Sequence, residues 1–163
     1  MEKILEILKK IENFEDCIIS KYDLSKVINI EYNLPDDLKY YLENYNDIIL
    51  FKSSDYSIKI NGITNFIKAN PIIIGEEIPD DRSFDWFIIA QDDNSQYITI
   101  DLSIERLGFC YDSFWDRHGL VGEQPIIAKS FTELLEKLFN SYGKSLYWLE
   151  DKFQSYGDAY DEI

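Results

Sequence analysis

The sequence contains few of the residues on which enzyme and metal chemistry usually depends. Its 163 residues include two cysteines and one histidine. His118 is the one imidazole base available to a Ser–His or Cys–His nucleophile, and a zinc site would have to combine it with scattered thiols or carboxylates. No glycine-rich phosphate-binding motif is present. We therefore predict no catalytic residue, metal or cofactor, and we expect His118 to face solvent in a loop.

Disulfide patterns and long apolar runs are missing as well. Cys17 and Cys110 are far apart in sequence, and neither belongs to a Cys-x-x-Cys pair, so we expect two reduced thiols. No apolar run approaches the roughly 18–20 residues that a membrane span requires. The first residues alternate charged and apolar side chains at helical spacing, unlike a signal peptide. These features predict a cytoplasmic protein, and the globular composition predicts a single domain over residues 1–163.

Lysine is missing from residues 69–128, and the same segment holds most of the charge excess. The chain carries a net charge of −15, of which this segment contributes −9 through twelve acidic and three basic residues. A negative surface repels nucleic acid and anionic membranes, and it speeds association with basic partners. Ordinary solubility charge would also explain the excess, although its uneven placement favours a binding surface.

Hydrophobic periodicity predicts helices towards both ends of the chain. Residues 2–13 repeat apolar side chains at helical spacing, and Pro35 followed by two aspartates predicts a helix that ends near residues 44–47. Ser130-Phe131-Thr132-Glu133 has the form of a capping box and predicts a third helix. We expect a final helix over residues 144–155. The remaining expectations are a connection at residues 14–24, a short helix or turn at 25–32 and a frayed tail from residue 157.

Patterns of period two predict strands between these helices. Residues 48–51 and 56–60 are expected to be strands, and Asn61-Gly62 predicts a hairpin with residues 63–66 as its return arm. Ile72-Ile73-Ile74 is a strand or a buried loop. The clearest hairpin joins residues 86–91 to 96–102 and is followed by a strand at 107–113. The predicted fold class is α+β, with a single, mainly antiparallel sheet and helices from the N- and C-terminal parts packed on it.

Three short segments occur in a characteristic order. A helix opens with Leu34-Pro35, a strand opens with Trp86, and Ala128-Lys129-Ser130-Phe131 leads into a helix. In this order they resemble the SMI1/KNR4 family of the SUKH superfamily, over a core of about residues 25–140. The chain departs from the family pattern where it has Tyr45-Asn46-Asp47-Ile48 and Asp92-Asp93-Asn94-Ser95 in place of glycine-containing turns. The resemblance implies the family fold, with Leu34, Trp86 and Phe131 in the core.

The resemblance also implies a function, because many bacterial members of this family are immunity proteins that neutralise a polymorphic toxin. Function would then lie in the loops that the scaffold displays, and aromatic anchors ringed by charge are typical of interfaces. The predicted partner-binding residues are Asp80, Asp81, Asp92, Asp93, Tyr111, Asp112, Phe114, Trp115 and Asp116. The expected partner is a basic toxin domain. If that toxin is a nuclease, an acidic surface would occupy its cleft in place of phosphates.

Two other interpretations stay open. The chain could be a scaffold or regulatory adaptor of the same fold, as in fungal members linked to cell-wall signalling. It could also be an enzyme or a metal protein, because acidic clusters such as Glu76-Glu77 or Asp112 with Asp116 are suited to Mg²⁺ or Ca²⁺.

Overall fold

The computed structural model describes residues 1–21 and 31–162, so the predicted helix or turn at 25–32 falls largely outside the described residues. Within them, seven antiparallel strands form one sheet and lie side by side in chain order. The strands are β1 (Ile18–Lys21), β2 (Tyr45–Leu50), β3 (Ile58–Ile60), β4 (Trp86–Gln91), β5 (Tyr97–Asp101), β6 (Cys110–Ser113) and β7 (Ile126–Ala128). The α+β prediction is confirmed. Strand β1 lies in the segment predicted to be a connection, and its mostly exposed side chains leave no alternating pattern to detect.

Three longer helices cover the first face of the sheet, which is the face that carries Phe87, Ile89, Ile98 and Ile100. They are α1 (Glu2–Glu12), α2 (Asp36–Asn44) and α4 (Phe131–Asn140). A shorter helix, α3 (Ala69–Ile73), lies between β3 and β4 in the chain. Phe131 is fully buried among these helices, whereas Leu34 is only partly buried at the margin of the core. No helix in the part of the chain that the structure describes is long and apolar enough to span a bilayer.

The capping chemistry at the start of α4 also ties two helices together. Ser130 Oγ accepts a hydrogen bond from the Glu133 N–H at 3.1 Å, which confirms the predicted serine cap. The Glu133 carboxylate accepts from the Lys129 N–H at 2.8 Å, one residue before the Ser130 N–H that a capping box would engage. Asp37, in the first turn of α2, accepts from both the N–H and the hydroxyl of Thr132. The two helix N-termini are therefore joined directly.

The second face of the sheet is covered by short segments from distant parts of the chain. Trp86, Ile88, Tyr111 and Ile126 form a buried cluster on this face with Ala69 of α3 and with Ala159. The predicted core position of Trp86 is confirmed. Since β4 is covered on both faces, it is an almost continuous apolar run instead of an alternating one.

The Asn61-Gly62 hairpin prediction is wrong. Strand β3 pairs with β2 on one side and with β4 on the other, and residues 63–66 form no return arm. Gly62 instead permits a close approach of two backbones, because a Cβ there would lie 2.7 Å from the carbonyl carbon of Asn46. Its N–H donates to Asp47 Oδ1 at 2.8 Å, so the glycine serves packing between segments.

Two predictions for other segments are also wrong. Ile72 and Ile73 end α3, and both Ile72 and Ile74 are exposed. Residues 144–155 contain only a 3₁₀ turn at Tyr147–Leu149 in place of the predicted helix. Leu146 and Trp148 are buried there, while Leu149 is exposed. Packing of the Trp148 side chain therefore outweighs the helical spacing of the leucines, which predicted a helix.

The C-terminal tail (residues 156–162) is docked, contrary to the predicted fraying. Its backbone pairs with the outer edge of β7 through bonds between Ile126 N and Gly157 O and between Tyr156 N and Ile126 O. Ala159 is fully buried, and its N–H donates to the Gln124 carbonyl. The tail thus extends the sheet edge and covers part of the second face.

Candidate partner-binding surface

The β6–β7 loop (residues 114–125) and the β4–β5 turn (residues 92–96) lie at the same end of the sheet. Asp92 Oδ1 organises the turn by accepting hydrogen bonds from Asn94 N and Gln96 N, as predicted for a hairpin connection. The Trp115 N–H then donates to Gln96 Oε1 at 3.3 Å. This contact places Trp115 and Asp116 next to the acidic turn.

A third segment borders the other side of the β6–β7 loop. A Cβ placed on Gly119 would lie 3.9 Å from Ile74 Cδ1 and 3.8 Å from the Tyr160 hydroxyl. That hydroxyl donates to Asp81 Oδ1 at 2.7 Å. Tyr160 therefore connects Asp81 to the β6–β7 loop, and Trp115 connects that loop to the β4–β5 turn.

Two of the predicted partner-binding residues lie inside the protein. Tyr111 is fully buried and donates its hydroxyl to Asp101 Oδ2 at 2.8 Å. Asp112 is also fully buried and is ion-paired with Arg117. Strand β6 lies between two other strands and has both faces covered, so none of its side chains reaches solvent. Tyr111 and Asp112 are therefore not accessible to a partner.

The remaining predicted residues divide by exposure. Trp115 has 73% of its surface exposed. Asp80, Asp93 and Asp116 are exposed too, and together with Glu123 they are called the acidic surface below. The other three predicted residues, Asp81, Asp92 and Phe114, are partly buried.

The partly buried residues have structural contacts of their own. Phe114 packs edge-on against Trp148, with ring centroids 6.3 Å apart. Burial opposes ionisation of Asp81, but hydrogen bonds from Ser83 and Tyr160 outweigh it and lower the pKa of this carboxyl. Asp81, Asp92 and Phe114 therefore support the surface more than they form it.

The three arginines of residues 69–128 are engaged within the molecule. Arg82 donates to the carbonyl oxygens of Ala159 and Asp161 at 3.1 and 2.7 Å. Arg106 is buried and donates to carbonyls of the same tail, and Arg117 pairs with buried Asp112. The arginines of this segment thus bind the tail or a buried carboxylate, while most of the segment's own carboxylates face solvent.

His118 is buried, contrary to the expectation of a solvent-facing loop residue. Only 6% of its surface is exposed, and its ring lies edge-on to Trp86 with centroids 5.6 Å apart. The Asn70 amide donates to Ser83 Oγ, so Asn70 Oδ1 is left to accept from His118 Nε2 at 2.7 Å. Nε2 of His118 therefore carries a proton, and this bond anchors the β6–β7 loop to α3.

We expect His118 to make the protein less stable in acid. Burial lowers its pKa from an ordinary 6.5 to about 4, although nearby Asp81 opposes the shift. Between these two pH values the unfolded chain binds a proton at His118 and the folded chain does not, so stability falls as the pH falls. The full contribution is about 3 kcal/mol, lost between about pH 6.5 and 4. Urea unfolding at pH 7 and pH 4 measures it.

The matched control for this measurement is His118→Gln, which keeps a donor for Asn70 but cannot titrate. The wild-type protein should lose about 3 kcal/mol more than the variant between pH 7 and pH 4, since the carboxylates that also titrate are common to both. An NMR titration in which His118 protonates near pH 6.5 would contradict its burial.

Sequence reasoning missed one feature of this region. Leu120 and Val121 are adjacent aliphatic residues in the β6–β7 loop, and 51% and 75% of their surfaces are exposed. The available signal was Gly119-Leu120-Val121-Gly122, an aliphatic pair between two glycines that fits neither strand nor helix periodicity.

The arrangement is suited to recognition of another molecule. Within residues 1–21 and 31–162, no three histidine, cysteine, aspartate or glutamate side chains converge to hold a metal ion. The β6–β7 loop presents an exposed tryptophan, two exposed aliphatic residues and carboxylates on a backbone tied to the sheet. Large apolar side chains surrounded by charge are the usual composition of a protein interface.

Comparison with known proteins gives a consistent result. The family model for SMI1/KNR4 (SUKH-1) matches residues 24–137. Immunity protein YokJ of Bacillus subtilis (strain 168) is 44% identical over 157 residues, which cover 96% of this chain and 95% of that protein. No solved structure gives a significant match.

Proposed function

Because the chain belongs to the SMI1/KNR4 family (SUKH-1), we propose that it is an immunity protein that binds and neutralises a cognate protein toxin. The observation that carries the proposal is the similarity to Immunity protein YokJ over nearly the whole length of both chains. The proposed action is binding in the cytoplasm, without catalysis. The burial of His118 supports this, because the one histidine already bonds to Asn70 and lies away from solvent.

We further propose that the acidic surface makes the first contact with the toxin. Its exposed carboxylates come from three segments, and the arginines nearby in sequence are engaged internally. Such a surface attracts a basic protein over a distance and raises the association rate. A toxin that acts on nucleic acid needs a basic cleft, and carboxylates in that cleft would take the place of phosphates.

Neutralising the acidic surface should slow association with the toxin. The variant is Asp80→Asn, Asp93→Asn and Asp116→Asn together, and the partner is a candidate toxin domain, to be taken from the genes that neighbour this one. We expect the association rate at low salt to fall by about tenfold and to become less dependent on salt. Stopped-flow or surface plasmon resonance measurements over a range of ionic strengths report both quantities.

The matched control removes three charges from another part of the molecule, through Glu2→Gln, Glu6→Gln and Asp55→Asn. These residues are exposed and lie outside the acidic surface. If both triple variants slow association equally, net charge alone is responsible and the acidic surface is not the contact. If the wild-type protein neither binds this domain nor protects cells that express it, the immunity function itself is refuted.

A further inference from the structure

The exposed aliphatic residues of the β6–β7 loop have no role in the acidic mechanism described above. Leu120 and Val121 are half or more exposed, and Ile74 beside them has 43% of its surface exposed. We propose that these three residues, the aliphatic anchor, insert into an apolar recess on a protein partner whose rim carries lysine or arginine. This inference rests on the proposed function and specifies the partner's surface.

The backbone that carries the anchor is built to hold it outward. Gly119 and Gly122 have φ angles of +75° and +83°, which disfavour any residue with a side chain. The Gly119 N–H donates to Gln124 Oε1 at 2.9 Å, and the Leu120 N–H donates to the Arg117 carbonyl at 3.0 Å. Leu120 and Val121 are thus displayed between two turns whose conformation only glycine adopts easily.

Gln124 fixes these turns to the sheet. Its side chain is fully buried and donates to the Asp112 carbonyl and to Ser113 Oγ, while its backbone N–H donates to Asp158 Oδ2 at 2.8 Å. A buried side-chain amide with three partners, on a residue whose backbone N–H is also bonded, holds the loop in one conformation before any partner arrives. Preorganisation of this kind lowers the entropic cost of binding.

The charges around the anchor identify the type of partner. Asp116 and Glu123 are exposed in the same loop, and Glu76 follows Ile74 by two residues and is also exposed. A second copy of this chain would bring the same carboxylates to the contact, and an anionic membrane would repel them. A protein with an apolar recess and a basic rim fits both the aliphatic and the acidic parts.

The loop pair is the double variant Leu120→Gln/Val121→Gln, and the control pair is the double variant Leu5→Gln/Ile104→Gln. The test compares their binding to the same candidate toxin domain. The control residues are 42% and 98% exposed and lie on α1 and at the opposite end of the sheet. We expect the loop pair to raise Kd by about 30-fold, mostly through faster dissociation, with unchanged salt dependence. The control pair should change Kd by less than about twofold.

Each outcome separates the two proposals. Thermal unfolding should show that both double variants remain folded, since the replaced residues are exposed. If the wild-type protein binds the toxin domain and the loop pair binds as well as the control pair, the aliphatic anchor is refuted while the proposed function stands. If sedimentation shows that the loop pair instead dissociates a dimer of this chain, the anchor contacts a second copy and the inference is wrong. Absence of wild-type binding refutes the proposed function.

Discussion

Replacing Trp86 by alanine should lower the free energy of unfolding by about 4 kcal/mol, the largest loss expected from a single substitution in this protein. The indole is fully buried on the second face of the sheet and contacts the ring of Tyr111, with centroids 4.4 Å apart. Its Nε1–H donates to Asp101 Oδ2 at 3.0 Å. Truncation would leave a cavity and would also remove one donor from a buried carboxylate. Urea unfolding followed by circular dichroism measures the loss.

Trp86→Phe is the control that separates packing from hydrogen bonding. It keeps an aromatic ring but not the N–H, so Asp101 would retain only the Tyr111 hydroxyl and the Ser103 N–H as donors. We expect a smaller loss of about 1–3 kcal/mol, the cost of leaving a buried polar group short of a partner. If Trp86→Ala kept full stability and abolished toxin binding, Trp86 would be a contact residue and the fold described here would be wrong at this position.

Removing the tail after Tyr156 should lower stability by at least about 3 kcal/mol, because it removes the two carbonyl acceptors of a buried charge. Arg106 has little exposed surface and donates to the carbonyls of Asp158 and Asp161. Truncation would also uncover the space filled by Ala159 and free the edge of β7. Chemical denaturation of the truncated and full chains measures the difference.

Truncation after Asp161 is the control, since it removes only two residues and keeps the carbonyls that Arg82 and Arg106 bind. Its stability should stay close to that of the full chain. Ala159→Gln offers a test without any truncation, because a larger side chain cannot enter the fully buried site without displacing its neighbours. Unchanged stability in both the Tyr156 truncation and Ala159→Gln would mean that the tail is not docked in solution.

The tail also connects stability to the proposed function. Asp158 accepts from the Gln124 N–H, and Tyr160 lies against both Asp81 and Gly119. Loss of the tail should therefore loosen the β6–β7 loop. We expect weaker toxin binding by the Tyr156 truncation even under conditions where it remains folded.

Local chemistry determined the parts of the fold that the sequence predicts well. The serine cap of α4, the proline before α2 and the Asp92 turn each depend on contacts within a few residues. The hairpin of β4 and β5 likewise follows from adjacent segments. These elements, the antiparallel sheet and the family resemblance could all be derived from residue order, because their determinants are close together in the chain.

The second face of the sheet could not be derived in this way. Its cover consists of α3, the β6–β7 loop and the tail, and their contacts with the sheet join residues far apart in sequence. Burial of His118 and Tyr111 depends on this cover, so they looked like surface residues in a polar segment. Asp112 lies on the other face, opposite Ile98 of the first-face core, and its burial also depends on residues distant in sequence. Asn61-Gly62 was misread for a similar reason, since its glycine is required by the backbone of β2.

The family, the fold class and an acidic central segment that includes Trp115 and Asp116 thus follow from residue order. Tertiary structure decided which carboxylates are free: it buried Asp112 beside Arg117 and left Asp80, Asp93 and Asp116 exposed. It also displayed Leu120 and Val121, whose exposure depends on the Gln124 contacts beneath them. The two kinds of result differ because charge and periodicity are properties of neighbouring residues, whereas burial is set by segments that meet only in the folded chain.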